Sequence, residues 1–306
     1  MKQYAFIFPG QGSQSVGMGK EFYENEPIAK ELISQASDIL GFDCKDLLFN
    51  ENDKLNLTQY TQSAIFLVSF IAHKIFSQQC GITPTLCFGH SLGEVSAFII
   101  AGGASFENGL KLTFKRGELM ARACEGQDAG MMVVVGLQEG VLQDFCKGKQ
   151  DIWCANYNDD RQIVLAGKKS ALSSVESTLK ELGAKRTLLL PMSVASHCPM
   201  LDSIKGEFTT LLENLLEGNA QYEIVSNATT QGYTTKDKAK ELLCAQLTSP
   251  VLYAQCVQQV DERVDGFIEF GNGAVLKGLN KRLSQKPTLS VSNMATLKET
   301  LDCLQS

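Results

Sequence analysis

The segment Thr85-Leu86-Cys87-Phe88-Gly89-His90-Ser91-Leu92-Gly93 decides the fold class predicted for this chain of 306 residues. A short apolar run, typical of a buried strand, stops at Gly89, and a helical pattern starts at Leu92. A Gly-x-Ser-x-Gly motif at such a junction is typical of a turn that presents a nucleophilic serine at the end of a sheet. The glycines let the backbone turn sharply and pass close to its neighbours. A turn whose serine merely caps the helix is the alternative, and the context favours Ser91 as a nucleophile.

Strands and helices alternate on both sides of this segment. Apolar runs predict strands at Tyr4–Phe8, where a Pro-Gly pair ends the run, and at 267–270, where a Gly-Asn-Gly turn follows. Apolar residues at helical spacing predict helices at 28–40, 61–76 and Phe106–Cys124. This alternation predicts an α/β fold in which helices cover both faces of a mostly parallel sheet.

The middle third of the chain follows a different order. Patterns typical of strands and helices succeed one another there as β-α-β-β-α-β, which is the split unit of a ferredoxin-like domain. The strands are predicted at 131–135, 152–155, 163–166 and 187–190, and the helices at 141–146 and 172–182. We therefore predict an inserted ferredoxin-like small domain at residues 126–195, and a large catalytic α/β domain formed by residues 1–125 and 196–306.

Composition excludes several classes of protein. Hydrophobic residues make up 44% of the chain and charged residues 20%, which predicts a folded core. The net charge of -6 argues against nucleic-acid binding, because a phosphate backbone requires clustered Lys and Arg. The ten cysteines form no C-x-x-C pair and accompany only three histidines, so we expect reduced thiols, a cytoplasmic location and no metal site. The first apolar run is too short for a signal peptide, and none reaches the ~18 residues of a membrane span.

A serine nucleophile needs a general base, and the three histidines are compared as candidates. His73 lies at the edge of a helical pattern, where we expect it to be solvated. His90 adjoins Ser91 on a tight turn, where neighbouring side chains point apart. His197 stands in the irregular segment 191–199, which can hang over the end of the sheet. We therefore predict that His197 is the base, and a capping or surface histidine is the alternative.

Two backbone amides are candidates for an oxyanion hole. One donor in such sheets is the N–H that follows the serine, which here belongs to Leu92, and the second comes from a loop at the end of another strand. Gln11, in the glycine loop after the first strand, fits that second place. The glycine spacing in this loop matches neither G-x-G-x-x-G nor a Walker lysine loop, so we expect no nucleotide site.

Arg116 lies on the apolar side of the predicted helix Phe106–Cys124. At ~100° per residue it falls among apolar side chains, away from the charged stripe of the same helix. The stripe comprises Lys111, Lys115, Glu118 and Arg122, and the apolar neighbours are Leu112, Leu119, Met120 and Ala123. A buried arginine must find an anion, because an unpaired buried charge is strongly destabilising. The anion is either a structural carboxylate or a substrate carboxylate, and two parallel bonds to the latter would select a diacid-derived acyl group such as malonyl.

Ordered motifs along the whole chain resemble the acyltransferase family of fatty-acid and polyketide synthesis, which includes the standalone malonyl-CoA:acyl-carrier-protein transacylases. The first two are Phe-Pro-Gly-Gln-Gly-Ser-Gln at 8–14 and Gly-His-Ser-Leu-Gly-Glu at 89–94. The others are Thr-Gln-Ser-Ala at 61–64, Asn-Tyr-Asn at 156–158, Ser-Val-Ala-Ser-His-Cys at 193–198 and Glu-Phe-Gly-Asn-Gly at 269–273. Two positions depart from the family pattern. Ser63 stands where proline is common, and Ala195-Ser196 stand where some relatives carry a proline or an aromatic residue, which leaves the choice of malonyl over methylmalonyl open.

The resemblance implies an α/β-hydrolase-like large domain with a ferredoxin-like insertion, and it assigns roles to eight residues. These are Ser91 as nucleophile, His197 as base, the Gln11 and Leu92 amides as oxyanion hole, Arg116 as ligand of the malonyl carboxylate, Gln246 beside the histidine, and His90 and Asn156 as further substrate-binding residues. We also expect a backbone carbonyl near Gln246 to orient His197, in place of an Asp or Glu.

The implied reaction moves malonyl from coenzyme A to the phosphopantetheine thiol of an acyl carrier protein through a malonyl-Ser91 intermediate. Coenzyme A enters as the thioester substrate, and no cofactor or metal is implied. The expected partners are malonyl-CoA and the carrier protein, without nucleic acid or membrane, and we expect a monomer. A serine esterase or thioesterase, and a non-catalytic subunit that binds the carrier, are the rival hypotheses.

A basic patch is predicted for carrier docking, because the resemblance implies an acidic carrier and this chain has a net negative charge. Lys277, Lys281 and Arg282 follow the glycine turn at 271–273 and lie about one helical turn apart. A solvated helix face is the alternative.

Overall fold

The computed structural model describes residues 2–305, in which helices and strands alternate along most of the chain. The helices are α1 (Lys20–Asn25), α2 (Pro27–Leu40), α3 (Cys44–Phe49), α4 (Thr58–Gln79), α5 (Leu92–Phe98), α6 (Phe106–Cys124), α7 (Glu139–Cys146), α8 (Lys169–Ser174), α9 (Glu176–Glu181), α10 (Lys205–Leu215), α11 (Lys236–Gln246), α12 (Tyr253–Asp261), α13 (Val275–Leu283) and α14 (Met294–Gln305). The strands are β1 (Tyr4–Phe8), β2 (Leu86–Gly89), β3 (Ala129–Val135), β4 (Ile152–Asp159), β5 (Gln162–Lys168), β6 (Arg186–Leu189), β7 (Glu223–Val225), β8 (Gly232–Tyr233), β9 (Gly266–Phe270) and β10 (Thr288–Val291).

The larger sheet has six strands in the order β10-β9-β1-β2-β7-β8. Neighbouring strands are parallel except β7 and β8, which are antiparallel. Strand β1 lies near the centre, and its alternate side chains enter two separate hydrophobic clusters. Phe6 and Phe8 belong to one cluster, and Ala5 and Ile7 belong to the other. The sheet is therefore covered on both faces, which confirms the predicted α/β fold class.

The smaller sheet has four antiparallel strands in the order β4-β5-β3-β6. Numbered within this unit, the strands lie in the order 2-3-1-4, with helices between the first two and the last two, as expected for a ferredoxin-like unit. Helices α7, α8 and α9 supply apolar side chains to a third hydrophobic cluster against this sheet. The antiparallel sheet confirms the predicted β-α-β-β-α-β order, and the boundaries at residues 126 and 195 stay a prediction.

Several elements were not predicted from the sequence. Strands β7 and β8 have only three and two residues, too few to show a periodic pattern. Strand β10 and helix α14 were also missed, and the helix expected at 172–182 is two short helices, α8 and α9. After α5 the chain continues as a π-helical segment, Ile99–Gly103.

The expectation that His73 is solvated was wrong. Its ring packs edge-on against Phe6, Phe8 and Phe270, with ring centroids 5.4 to 6.4 Å apart. Burial, and secondarily the charge of Lys74, lower the pKa of His73 to about 4. The error arose because helical spacing fixes the direction of a side chain but not what the neighbouring sheet places against it. His73 is therefore half-buried against aromatic side chains of the larger sheet.

Candidate active site

The turn that carries Ser91 is held against the first strand by two glycines. A Cβ atom at Gly93 would lie 1.9 Å from the carbonyl oxygen of Phe8, and one at Gly89 would lie 2.4 Å from the same atom. Only glycine permits so close an approach of two backbones. Ser91 itself adopts φ 54° and ψ -104°, a conformation unfavourable for a residue with a side chain. The strain indicates that the surrounding structure fixes the hydroxyl in one direction.

Ser91, His197 and Gln246 form a hydrogen-bonded chain. The Ser91 hydroxyl lies 2.8 Å from His197 Nε2, and His197 Nδ1 lies 2.7 Å from the backbone carbonyl oxygen of Gln246. Because that carbonyl can only accept, Nδ1 carries the proton and Nε2 is free to accept the serine proton. Burial, and then the charge of Arg116, lower the pKa of His197 to about 3, so the ring is neutral near pH 7. His197 can therefore accept the Ser91 proton although its ring is hydrogen-bonded to a backbone carbonyl and not to a carboxylate.

Asn227 supports the serine turn from behind. Its Oδ1 atom accepts from the backbone N–H of Ser91 at 2.7 Å, and its Nδ2 donates to the carbonyl of Gly89 at 2.8 Å. The residue is fully buried and follows the short strand β7. The sequence analysis missed Asn227. The signal that could have found it is the apolar pair Ile224-Val225 followed by polar residues, because the carboxyl ends of parallel strands meet at one edge of a sheet.

Arg116 is almost completely buried, at 1% exposure, as its position on the helix predicted. Its Nη1 donates to Gln62 Oε1 at 2.8 Å, and its Nη2 donates to Gln246 Oε1 at 2.9 Å and to Ser91 Oγ at 3.3 Å. Burial lowers the pKa of Arg116 to about 10 while Glu94 opposes the shift, so the guanidinium remains charged near pH 7. Among residues 2–305 no carboxylate forms a direct ion pair with it.

A cavity of about 330 Å³ opens above Ser91. Seven of the eight predicted site residues line it, namely Gln11, His90, Ser91, Leu92, Arg116, Asn156 and His197. Gln246 lies behind the histidine and the arginine and does not line the cavity. The remaining walls include the apolar side chains of Met120, Met131, Leu190 and Met192. Polar and apolar side chains thus line the cavity together.

His90, in the turn after β2, and Asn156, on strand β4, line the same side of the cavity. His90 Nε2 lies 2.8 Å from Asn158 Oδ1, which keeps the ring away from Ser91. The Oδ1 atom of Asn156 is buried and has no hydrogen-bond partner among the described residues. A buried amide oxygen without a donor is costly, and an amide or hydroxyl of a substrate would satisfy it.

Among residues 2–305, no group of His, Cys, Asp and Glu side chains is arranged to hold a metal ion. No helix in that range combines the length and the apolar composition that a membrane crossing requires.

The chain is similar to known proteins over nearly its whole length. The family model described as acyl transferase domain matches residues 5–298. The malonyl CoA-acyl carrier protein transacylase of Salmonella typhimurium is 35% identical over 298 residues, covering 96% of each chain, and that of Staphylococcus aureus strain MRSA252 is 34% identical over 305 residues, covering 98% of this chain and 97% of the relative.

Solved structures agree in fold as well as in sequence. The crystal structure of malonyl-CoA:acyl carrier protein transacylase from Helicobacter pylori superposes with a TM-score of 0.99 at 51% identity, covering 100% of this chain and 99% of that one. A malonyl-transacylase solved in complex with a type II polyketide acyl-carrier protein superposes with a TM-score of 0.95 at 32% identity, covering 98% and 99%. This chain therefore belongs to the acyl transferase domain family, in the group of the malonyl CoA-acyl carrier protein transacylases.

Proposed function

We propose that this chain transfers malonyl from coenzyme A to the phosphopantetheine thiol of an acyl carrier protein, as a step of fatty-acid synthesis. The names of its relatives describe this activity, and one of the similar structures is a complex with a carrier protein. The rest of the proposal concerns which residues carry out the reaction.

The environment of Arg116 carries the proposal. The guanidinium is charged, buried and 3.3 Å from the Ser91 hydroxyl, yet its direct partners other than Ser91 are the neutral amides of Gln62 and Gln246. A buried charge without a contacting counter-ion is unfavourable. The carboxylate of a malonyl group on Ser91 would supply that counter-ion through a charge-assisted hydrogen bond. An acyl group without a carboxylate would leave the guanidinium without a contacting counter-ion.

In the first half-reaction, the Ser91 oxygen attacks the thioester carbonyl carbon of malonyl-CoA, and the serine proton passes to His197 Nε2. The N–H groups of Leu92 and Gln11 stabilise the oxyanion that forms. Collapse of this intermediate breaks the carbon–sulfur bond, and the imidazolium returns its proton to the departing coenzyme A thiolate. The product is a malonyl ester of Ser91.

The second half-reaction reverses these steps with another thiol. His197 accepts the proton of the carrier's phosphopantetheine thiol, the sulfur attacks the ester carbonyl, and the proton returns to the Ser91 oxygen. Apolar side chains in the cavity wall make the surroundings of the ester less favourable for water, which favours transfer over hydrolysis. This chemistry requires no redox or metal cofactor, and coenzyme A takes part only as a substrate.

We propose a cytoplasmic location for the reaction. The core contains cysteine thiols that form no disulfide, among them Cys87, Cys198 and Cys256. Unpaired buried thiols are typical of proteins that fold in a reducing compartment.

We also propose that the small domain begins at residue 126 and ends at residue 195, because the four antiparallel strands fall between these positions.

Mass spectrometry of the intact chain tests the proposal. After incubation with malonyl-CoA, the wild-type chain should gain one malonyl group, and Ser91→Ala should gain none. Addition of carrier protein in its thiol form should remove the group from the wild type and add it to the carrier. Release of free malonate in place of transfer would indicate the hydrolase. Absence of any adduct would indicate the non-catalytic subunit.

A further inference from the structure

Glu94 is a buried carboxylate that the proposed mechanism does not use. It lies on helix α5, one turn after Ser91, and has 0% exposure. It does not line the cavity above the serine, so it cannot touch a substrate there. A buried carboxylate is costly unless several donors satisfy it, and its partners therefore indicate what it is for.

The partners of Glu94 all donate hydrogen bonds to it. Oε1 accepts from the hydroxyl of Tyr233 at 3.0 Å, and Oε2 accepts from the backbone N–H of Asn227 at 2.9 Å and from Nε2 of Gln246 at 2.6 Å. An ionised carboxylate only accepts, and this set of donors matches that form. A neutral amide or a protonated acid at the same place would offer a donor where the neighbours need an acceptor.

The contact with Gln246 fixes which way its side-chain amide points. Because Glu94 accepts only, the Nε2 end of Gln246 must face it, and the Oε1 end must face Arg116, which donates to it at 2.9 Å. The backbone carbonyl of the same Gln246 accepts a hydrogen bond from the Nδ1–H of His197. One glutamine thus sets the position of the guanidinium and the tautomer of the imidazole. Glu94 holds that glutamine at 2.6 Å, together with the Ser91 carbonyl, which accepts from the same Nε2 at 3.0 Å.

The contact with Asn227 extends the same control to the nucleophile. Glu94 accepts from the Asn227 backbone, and the Asn227 side chain holds the N–H of Ser91 and the carbonyl of Gly89. These two groups flank His90, directly before the strained residue Ser91. A shift of Asn227 would therefore change the direction of the serine hydroxyl.

We infer that ionised Glu94 is a positioning residue that aligns Ser91, His197 and Arg116 through Gln246 and Asn227. The inference rests on the proposed function and deepens it. One buried negative charge outside the cavity thus selects the orientation of two amide side chains, and these side chains contact the reacting groups.

This arrangement has a consequence for pH dependence. Burial raises the pKa of Glu94 to about 7, although its donors and the charge of Arg116 lower it. The titratable or charged groups that face Glu94 are Tyr233 from β8, Arg116 from α6 and Cys256 from α12. Since the pKa of His197 is about 3, the ring is already neutral above pH 5. Burial also raises the pKa of Glu269 to about 7, and that carboxylate accepts from the backbone N–H groups of Leu276 and Lys277. We assign a loss of activity as the pH falls through 7 to protonation of Glu94, and the Glu94→Gln variant separates the two carboxylates.

The test compares the rate of malonyl-Ser91 formation from pH 5 to 9 in wild type, Glu94→Gln and Tyr233→Phe, with melting temperatures recorded in parallel. Glu94→Gln should lower kcat by ~10- to 100-fold at pH 8, the effect of a lost hydrogen bond to a charged group. Its remaining activity should no longer fall between pH 8 and 5. Tyr233→Phe keeps the carboxylate and removes one of its donors, so the acid limb should move to higher pH.

Each outcome decides the inference. If folded Glu94→Gln keeps the wild-type kcat and acid limb, Glu94 does not position the site. A lower melting temperature with normal kinetics of the folded enzyme would likewise show a purely structural role. If Glu94→Gln does not fold, an acid limb that stays in place in Tyr233→Phe overturns the inference, and a shifted limb supports it. Failure of the proposed function is separate, since wild type would then take up no malonyl group at any pH.

Discussion

The guanidinium of Arg116, on α6, donates to the hydroxyl of Ser91, in the turn before α5, across 3.3 Å and 25 positions of the chain. The same hydroxyl lies 2.8 Å from His197 Nε2, to which it can donate. In the free enzyme the serine oxygen is therefore held between a fixed positive charge and a neutral base. This arrangement leaves the positive charge beside the acyl group once the ester has formed, where a carboxylate can pair with it.

Removal of this charge should change the choice of acyl group. Arg116→Ala should lower kcat/KM for malonyl-CoA by ~30- to 1000-fold, corresponding to about 2–4 kcal/mol for a lost charge-assisted contact. Acetyl-CoA has no carboxylate to bind, and its use should be unchanged or improved. The quantity to measure is the ratio of the two activities. Arg122→Ala, an exposed arginine on the same helix, is the matched control. A ratio that stays constant in Arg116→Ala would refute the selectivity mechanism.

Removal of the base should affect both half-reactions. His197→Ala should slow malonyl-Ser91 formation and transfer to the carrier by ~10²- to 10⁴-fold each, because the same nitrogen accepts both protons. Single-turnover experiments that start from free enzyme and from isolated malonyl-enzyme separate the two steps. A defect confined to the carrier step would contradict a shared base.

Asn227, which supports the Ser91 turn from behind, should matter for activity as much as the residues that line the cavity. Asn227→Ala would leave the N–H of Ser91 and the carbonyl of Gly89 without partners, at a cost of about 1–3 kcal/mol for each buried group. We expect a lower melting temperature together with slower acylation by malonyl-CoA and acetyl-CoA alike. Ser226→Ala, a change at the adjacent buried position, serves as a control for packing. Equal acylation rates in Asn227→Ala and wild type would show that the turn holds its shape without this residue.

Carrier docking on the basic patch is best tested at Lys281 and not at Arg282. Arg282 Nε donates to Asp159 at 2.6 Å, and the side chain of Asp159 is only 7% exposed, so a glutamate at 282 would oppose a buried carboxylate. Lys281 is exposed at the same end of α13. Lys281→Glu alone should raise KM for the carrier without changing malonyl labelling, and Lys298→Glu on α14 controls for net charge. An unchanged KM at low salt would mean that the carrier docks elsewhere.

Prediction from sequence succeeded where the information was local. The strand-to-helix context identified the turn of Ser91, and helical spacing put Arg116 on the buried side of α6. Glu94 was not found, because Ser-x-x-Glu at a helix start ordinarily places the glutamate in solvent as part of a capping box. Here the Ser91 side chain caps nothing, and Glu94 points into the protein.

The remaining partners could not be predicted for a different reason. Asn227 and Gln246 meet the serine turn across more than 130 residues of chain, and the elements that bring them there include a strand of three residues. Gln246 was placed only by family resemblance, because its contribution to His197 is a backbone carbonyl, which carries no side-chain signature. Long-range assembly of this kind leaves no periodic trace in the sequence.

Backbone hydrogen bonds join strand β4 to the segment that precedes α12. The N–H of Tyr157 donates to the carbonyl of Val251, and the N–H of Val251 donates to the carbonyl of Ala155, both at 2.8 Å. These bonds hold the part of the cavity wall that carries Asn156. In the proposed reaction one serine, Ser91, carries the acyl group between the two thiols, so both pantetheine arms must use the same position in turn. Coenzyme A must therefore leave before the carrier enters, and double-reciprocal plots for the two substrates should be parallel lines.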